Sequence, residues 1–218
     1  MNHPSEAIFI SGIDTDAGKT YATAFYARRL LDQGFSVITQ KFIQTGCTDS
    51  SEDIVKHREL LGTGTLPEDI EGLTAPEIFT YPASAQLAAR IDGRDIDLDK
   101  IEAAGDELLR RYERVLIEGA GGLYVPVTDD YFTIDYVGAH HLPIVLVTNG
   151  RLGSINHTIL SLEAIKAKGI ELKAVIYNQY YDTDATIAAD TTDFVRRYVE
   201  RHFPEAEYLI MPASVNFA

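Results

Sequence analysis

Near its start the chain reads Gly12-Ile13-Asp14-Thr15-Asp16-Ala17-Gly18-Lys19-Thr20, directly after a short apolar run and directly before a segment with helical spacing. Successive free amides and a helix N-terminus can surround phosphates, Lys19 can reach the terminal ones, and the Thr20 hydroxyl can ligate Mg²⁺. Five residues separate Gly12 from Gly18, one more than the usual spacing, yet strand, loop, Gly-Lys-Thr and helix coincide. The expectation is a phosphate-binding loop, and the alternative is a glycine turn that caps a helix.

A Mg²⁺ ion takes one or two carboxylates besides phosphate oxygens. Glu118 ends an apolar run and is followed by Gly119-Ala120-Gly121-Gly122, which lets the backbone turn close to a ligand. Asp53, in the helix-start sequence Ser50-Ser51-Glu52-Asp53, is the second candidate. Lys41 follows another apolar run and would share the crevice at the strand ends, its alternative being a solvated lysine. Leu152-Gly153-Ser154-Ile155-Asn156 opens a further helix whose amides could hold a carboxylate or serve as a plain cap. His3, His57, His140, His141 and His202 show no ligand spacing, which predicts solvated or capping roles.

These residues need a scaffold that brings strand ends together. Apolar runs rich in Ile and Val recur at 7–10, 35–39, 115–117, 143–148, 173–177 and 208–211, without polar alternation. Strands of that kind are buried on both faces, as in a parallel sheet covered by helices. Helical spacing occupies 19–33, 154–168 and 187–203, with Gly34 and Gly169 as C-terminal caps of the first two. A weak strand at 77–81 and helices at 84–91 and 98–112 complete the pattern. The βαβα order predicts a three-layer α/β fold with a mostly parallel sheet and right-handed crossovers.

The chain has 218 residues with no repeat or linker, which predicts one domain over residues 1–218. Lys plus Arg number 19 against 33 for Asp plus Glu, a net charge of −14 that argues against nucleic acid as a partner. ATP is still admissible, because local amides, a lysine and a metal ion outweigh a distant field at physiological ionic strength. The single cysteine, Cys47, fits a reducing compartment and no internal disulfide. No leader sequence or membrane span is evident, and a cytoplasmic protein is expected.

With these motifs in order, the chain resembles the dethiobiotin synthetases, ATP-dependent carboxylases that close the ureido ring on the path to biotin. The resemblance runs over residues 8–178. It rests on Gly12-x-Asp14-Thr15-x-x-Gly18-Lys19-Thr20, Lys41 with Thr45-Gly46, Glu118 with its four following residues, and Leu152-Gly153-Ser154-Ile155-Asn156-His157. It implies a P-loop NTPase-like domain that uses ATP, Mg²⁺, CO₂ and 7,8-diaminononanoate and works as a homodimer. It places Asp14, Thr15, Asp16, Ala17, Gly18, Lys19 and Thr20 around the nucleotide, with Asn178 at the base. Thr15, Lys19 and Lys41 fall at the reacting groups, while Lys41, Thr45, Gly121, Gly153 and Asn156 fall along the substrate, and Thr20, Asp53 and Glu118 around the metal.

Some positions depart from the family pattern. Phe42 stands where proline usually follows the lysine, Asp16 where glutamate is common, and Arg151 where some members have lysine. The segment after Pro212 is shorter than in many members, so weaker selection of the base is expected. A partition or cell-division switch ATPase of the ParA or MinD type would carry a second lysine where this chain has Asp14. An amidoligase would bring a glutaminase domain for which 218 residues leave no room.

Overall fold

The computed structural model describes residues 4–214. Along the chain its strands are β1 (Glu6–Gly12), β2 (Val37–Lys41), β3 (Gln44–Thr45), β4 (Ile78–Phe79), β5 (Arg114–Glu118), β6 (Ile144–Asn149), β7 (Leu172–Asn178) and β8 (Glu207–Met211). Its helices are α1 (Lys19–Asp32), α2 (Glu52–Leu61), α3 (Pro67–Ile70), α4 (Ala85–Asp92), α5 (Leu98–Arg111), α6 (Thr133–Ala139), α7 (Ser154–Ala167) and α8 (Ala185–His202). Six strands form one sheet in the order β2-β5-β1-β6-β7-β8, every neighbouring pair parallel. The β3–β4 pair stands apart as a second, two-stranded sheet.

Burial on both faces explains the unbroken apolar runs. Successive residues of a strand point to opposite sides. Ile8, Ile10, Leu116, Val145 and Val147 accordingly pack with Ala22, Tyr26, Ala27 and Leu30 of α1. Phe9, Val115, Ile117, Ile144 and Leu146 share the opposite core with Ile101, Leu108, Leu162 and Val195 from α5, α7 and α8. Phe42, where proline was expected, fills this core edge-on to Phe9, with ring centroids 5.6 Å apart. Gly34 and Gly169 have φ of 92° and 64°, the left-handed geometry expected just past α1 and α7.

Because the strands run one way, their carboxyl ends share one edge. Lys41 lies opposite Glu118 in the register of β2 and β5, and Asn149, Asn178 and Met211 form a row across β6, β7 and β8. Glu118 ends β5 as expected, and Lys41 is the last residue of β2 instead of following it. The strand expected at 77–81 shrinks to β4, whose partner β3 the apolar pattern does not reveal. Helices α3 and α6 also appear where no helix was expected. Among the described residues no helix is long and apolar enough to cross a membrane.

Candidate active site

β1 leads into a single 3₁₀ turn at Thr15–Ala17, which Asp14 caps by accepting from the Thr15 amide at 2.7 Å. Gly18 follows with φ of 91° and caps α1, and a Cβ there would collide with the Asn178 carboxamide. Glycine is thus required both by its left-handed backbone and by the close approach of β7. Lys19 Nζ curls over the loop and donates to the Asp14 carbonyl at 3.1 Å and the Thr15 carbonyl at 2.9 Å. Burial, reinforced by the nearby Lys41 ammonium, lowers its pKa to about 8.

The facing strand ends carry a buried ionic network. Glu118 is 1% exposed and Lys41 5% exposed. Lys41 Nζ lies 2.8 Å from Glu118 Oε1, 2.5 Å from Asp53 Oδ2 and 3.3 Å from the Gly119 carbonyl. The alternative of a solvated lysine is thereby set aside, since the register of β2 with β5 buries Lys41 in a charge pair. Thr20 Oγ1 lies 2.8 Å from Asp53 Oδ1 and 3.3 Å from Glu118 Oε1. Burial on its own would raise the Glu118 pKa, but Lys41 and a hydrogen bond from His57 hold it well below the usual carboxylate range. The same carboxylates keep Lys41 protonated, raising its pKa against the effect of burial. Thr20, Asp53 and Glu118 thus present hard oxygen donors around one point, a donor set that suits Mg²⁺.

These groups open onto a cavity of about 700 Å³. The phosphate loop contributes Thr15, Asp16, Gly18, Lys19 and Thr20 to its wall, the strand ends and the loop after β5 contribute Lys41, Thr45, Glu118 and Gly121, and the first turn of α2 contributes Asp53. Asn178 closes it from β7, donating to the Ala17 carbonyl at 3.1 Å while its own oxygen accepts from the Tyr180 amide at 3.0 Å. Asp14 stays exposed beside the loop, and Ala17 is buried beneath it. Gly153 and Asn156 are exposed at the start of α7 and do not line this cavity.

Several contributors escaped the sequence reading. Tyr180, Tyr181 and Met211 to Ser214 line the cavity near Asn178, while residues 215–218 lie outside the described ones. Arg151 stacks over the Tyr181 ring at 4.7 Å and lies 3.9 Å from Asp14, tying the loop after β6 to the phosphate loop. His57 is the clearest correction: expected to be solvated or capping, it is fully buried with its Nε2 2.8 Å from Glu118 Oε2. The available signal was its place one turn after Asp53, on the same helix face.

A family model described as an AAA domain matches residues 6–209. Among solved structures, the pNOB8 ParA protein bound to nonspecific DNA superposes with a TM-score of 0.56 at 16% identity, covering 97% of this chain and 86% of that one. The cell division ATPase MinD of Pyrococcus furiosus gives 0.53 at 16% identity, covering 96% and 84%. Both likenesses are of fold alone. Among curated proteins, the ATP-dependent dethiobiotin synthetase BioD 2 of Haemophilus ducreyi is 52% identical, covering 94% of this chain and 97% of its own. The one from Pasteurella multocida is 48% identical over 95% and 97%, and the ATP-dependent dethiobiotin synthetase BioD of Chlorobaculum tepidum 44% over 96% and 88%. A phosphate loop facing a buried Lys–Glu–Asp network, in a chain about half identical to these relatives along nearly its whole length, establishes that it belongs to the ATP-dependent dethiobiotin synthetases.

Proposed function

We propose that the chain carboxylates 7,8-diaminononanoate with CO₂ and closes the product to dethiobiotin, converting ATP to ADP and phosphate. One amine takes up CO₂ and gives a carbamate. The carbamate oxygen attacks the γ-phosphorus as ADP leaves, and the second amine then displaces phosphate from the carbonyl carbon and closes the ring. Two anions must meet for this, so positive charge inside a site of reduced dielectric is the main requirement. The observation that carries the reading is the convergence on one cavity of Lys19, Lys41, Asp53 and Glu118 beside the phosphate-loop backbone.

In this reading Thr15, Gly18 and Lys19 hold the phosphates, Lys19 and Lys41 neutralise the transferring group, and Thr45 and Gly121 border the substrate. Asp14, Asp16 and Ala17 shape the loop, and Asn178 faces the base. Thr20, Asp53 and Glu118 would hold Mg²⁺, which when bound screens the triphosphate charge. Gly153 and Asn156 would meet the substrate carboxylate across a two-fold homodimer, a reading supported by Leu152 and Leu160 standing exposed on that surface. We read the whole chain as one catalytic domain working in the cytoplasm.

The test is to incubate purified protein with 7,8-diaminononanoate, ATP, Mg²⁺ and labelled bicarbonate. Label in a cyclic urea is expected, and its absence while ATP is hydrolysed would refute the reading.

A further inference from the structure

The two oxygens of Glu118 have different surroundings. Oε1 faces Thr20 at 3.3 Å and Lys41 at 2.8 Å, on the side of the cavity. Oε2 is turned into the protein, toward Thr23 Oγ1 at 3.3 Å and His57 Nε2 at 2.8 Å. The shorter and better donor on that inner side is the imidazole.

Where the imidazole carries its proton follows from a hydrogen-bond inventory. His57 Nδ1 lies 3.0 Å from Thr39 Oγ1, and Arg58 Nη1 donates to the same hydroxyl at 2.9 Å. Arg58 is itself held by Asp69, through Nε at 2.9 Å and Nη2 at 2.8 Å. A guanidinium can only donate, so the Thr39 oxygen accepts there and keeps its own proton to give. Among the described residues, the acceptor beside it is His57 Nδ1. Nδ1 is thus placed to accept from Thr39, and a carboxylate can only accept, so Nε2 carries the proton aimed at Glu118.

We infer that His57 is a positioning residue, which, through the chain Asp69–Arg58–Thr39–His57, fixes Glu118 so that Oε1 is presented to Thr20 and the cavity. The inference rests on the reading of Glu118 as a metal-holding carboxylate. A carboxylate whose inner oxygen lacked a strong donor would rotate to find one, and the outward oxygen would lose its fixed direction. Partners that orient a ligating group commonly alter metal affinity by about 10- to 100-fold when removed. His57 is fully buried and does not line the cavity, and its contact toward the site is with Glu118.

Two measurements on the full chain test this. In ¹⁵N-labelled protein, two-bond ¹H–¹⁵N correlation of the imidazole is expected to show Nε2 protonated and Nδ1 bare, and the opposite tautomer would overturn the inference. Binding of Mn²⁺ in the presence of ADP, read by electron paramagnetic resonance, is expected to weaken about 10- to 100-fold in His57→Leu. His57→Gln, whose amide can place an N–H where Nε2 stands, is expected to restore most of the affinity. Unchanged Mn²⁺ affinity in His57→Leu, or equal loss in both variants while both melt like the wild type, would overturn it. If the leucine variant fails to fold, Thr39→Val serves instead: it removes the hydroxyl that selects the tautomer, and an unchanged tautomer with unchanged Mn²⁺ binding would count against the inference. Wild-type protein that binds no Mn²⁺ with ADP would remove the underlying metal reading, and that is seen before any substitution is made.

Discussion

Replacing Lys41 with methionine keeps the length and apolar stem of the side chain and deletes its ammonium. That ammonium lies 2.5 Å from Asp53 Oδ2 and 2.8 Å from Glu118 Oε1 in a side chain only 7% exposed. At an effective dielectric of about 20, a unit pair at the Glu118 distance attracts by roughly 6 kcal/mol. Two effects reduce the net loss: Lys41 no longer has to be desolvated, and Thr20, Thr23 and His57 still donate to Glu118. The expected cost is about 3 kcal/mol, the lower end for removing one partner of a buried ion pair. For a chain of this length that lowers Tm by roughly 6–12 °C. Mg²⁺ with ADP is expected to restore part of the loss, because it brings positive charge to the same carboxylates, while turnover falls by about 10²-fold or more. Thermal denaturation with and without Mg²⁺-ADP, alongside kcat, measures all three. A nucleotide-free variant that melts within about 2 °C of wild type would show that Lys41 is not what neutralises the pair.

Lys19→Ala is expected to cut turnover by about 10²-fold or more with little effect on circular dichroism, since Lys19 Nζ bonds only the carbonyls of Asp14 and Thr15 among the described residues. Glu118→Gln and Asp53→Asn are each expected to raise the Mg²⁺ concentration needed for half-maximal rate; an unchanged requirement in Asp53→Asn would reduce that residue to a helix-start acid. Burial on its own would raise the Asp69 pKa, but bonds from Arg58, the Leu66 amide and Thr74 hold it below the usual carboxylate value. The unfolded chain therefore takes up this proton first, so the stabilisation is complete above about pH 5 and is lost as pH falls through the folded value. Asp69→Asn is expected to flatten this acid limb in urea unfolding, and parallel pH curves for variant and wild type would refute the assignment. Finally, CTP or GTP is expected to support kcat/KM within about 10²-fold of ATP, because Tyr180 and Tyr181 offer faces any base can stack on and both ends of Asn178 are engaged by the chain itself. A preference above about 10⁴-fold would require a complete base pocket.

How much of this could be read from sequence depends on how local each feature is. The loop from Gly12 to Thr20 is contiguous, so its backbone, its lysine and its hydroxyl announce themselves together. The apolar strands are legible for a similar reason, since burial on both faces leaves no polar alternation. That Lys41 and Glu118 touch is not legible, because it requires β2 to pair with β5, a strand 77 residues further on at the contact. His57 was missed for the same reason: its partner is 61 residues away, and a histidine on a helix looks the same whether it faces solvent or a carboxylate. Helices α3 and α6, with four and seven residues, are too short for a period to register. Tyr180 and Tyr181 sit in a 3₁₀ turn, where aromatic residues carry no pattern that distinguishes a cavity wall from a loop surface.

The charge arrangement also resolves how a chain with a net charge of −14 can hold a triphosphate. Beyond about 8–10 Å the surface charges are largely screened, so an anion entering the cavity responds to the groups that line it. There two ammoniums stand against three carboxylates, Asp16, Asp53 and Glu118, and Asp16 is exposed to solvent, so the local excess is a single negative charge. Lys19 and Lys41 are not equally available, however. Lys19 is bonded to neutral carbonyls, which give it up readily to a phosphate oxygen. Lys41 is bonded to two carboxylates, and drawing it away would leave the buried Glu118 beside the partly exposed Asp53 without their directly bonded ammonium. Under the proposed reading, a second positive charge against Asp53 and Glu118 frees Lys41 to turn toward a carbamate, so loading of the nucleotide site favours the approach of Lys41 to the second substrate and ties carbamate stabilisation to the presence of the phosphoryl donor.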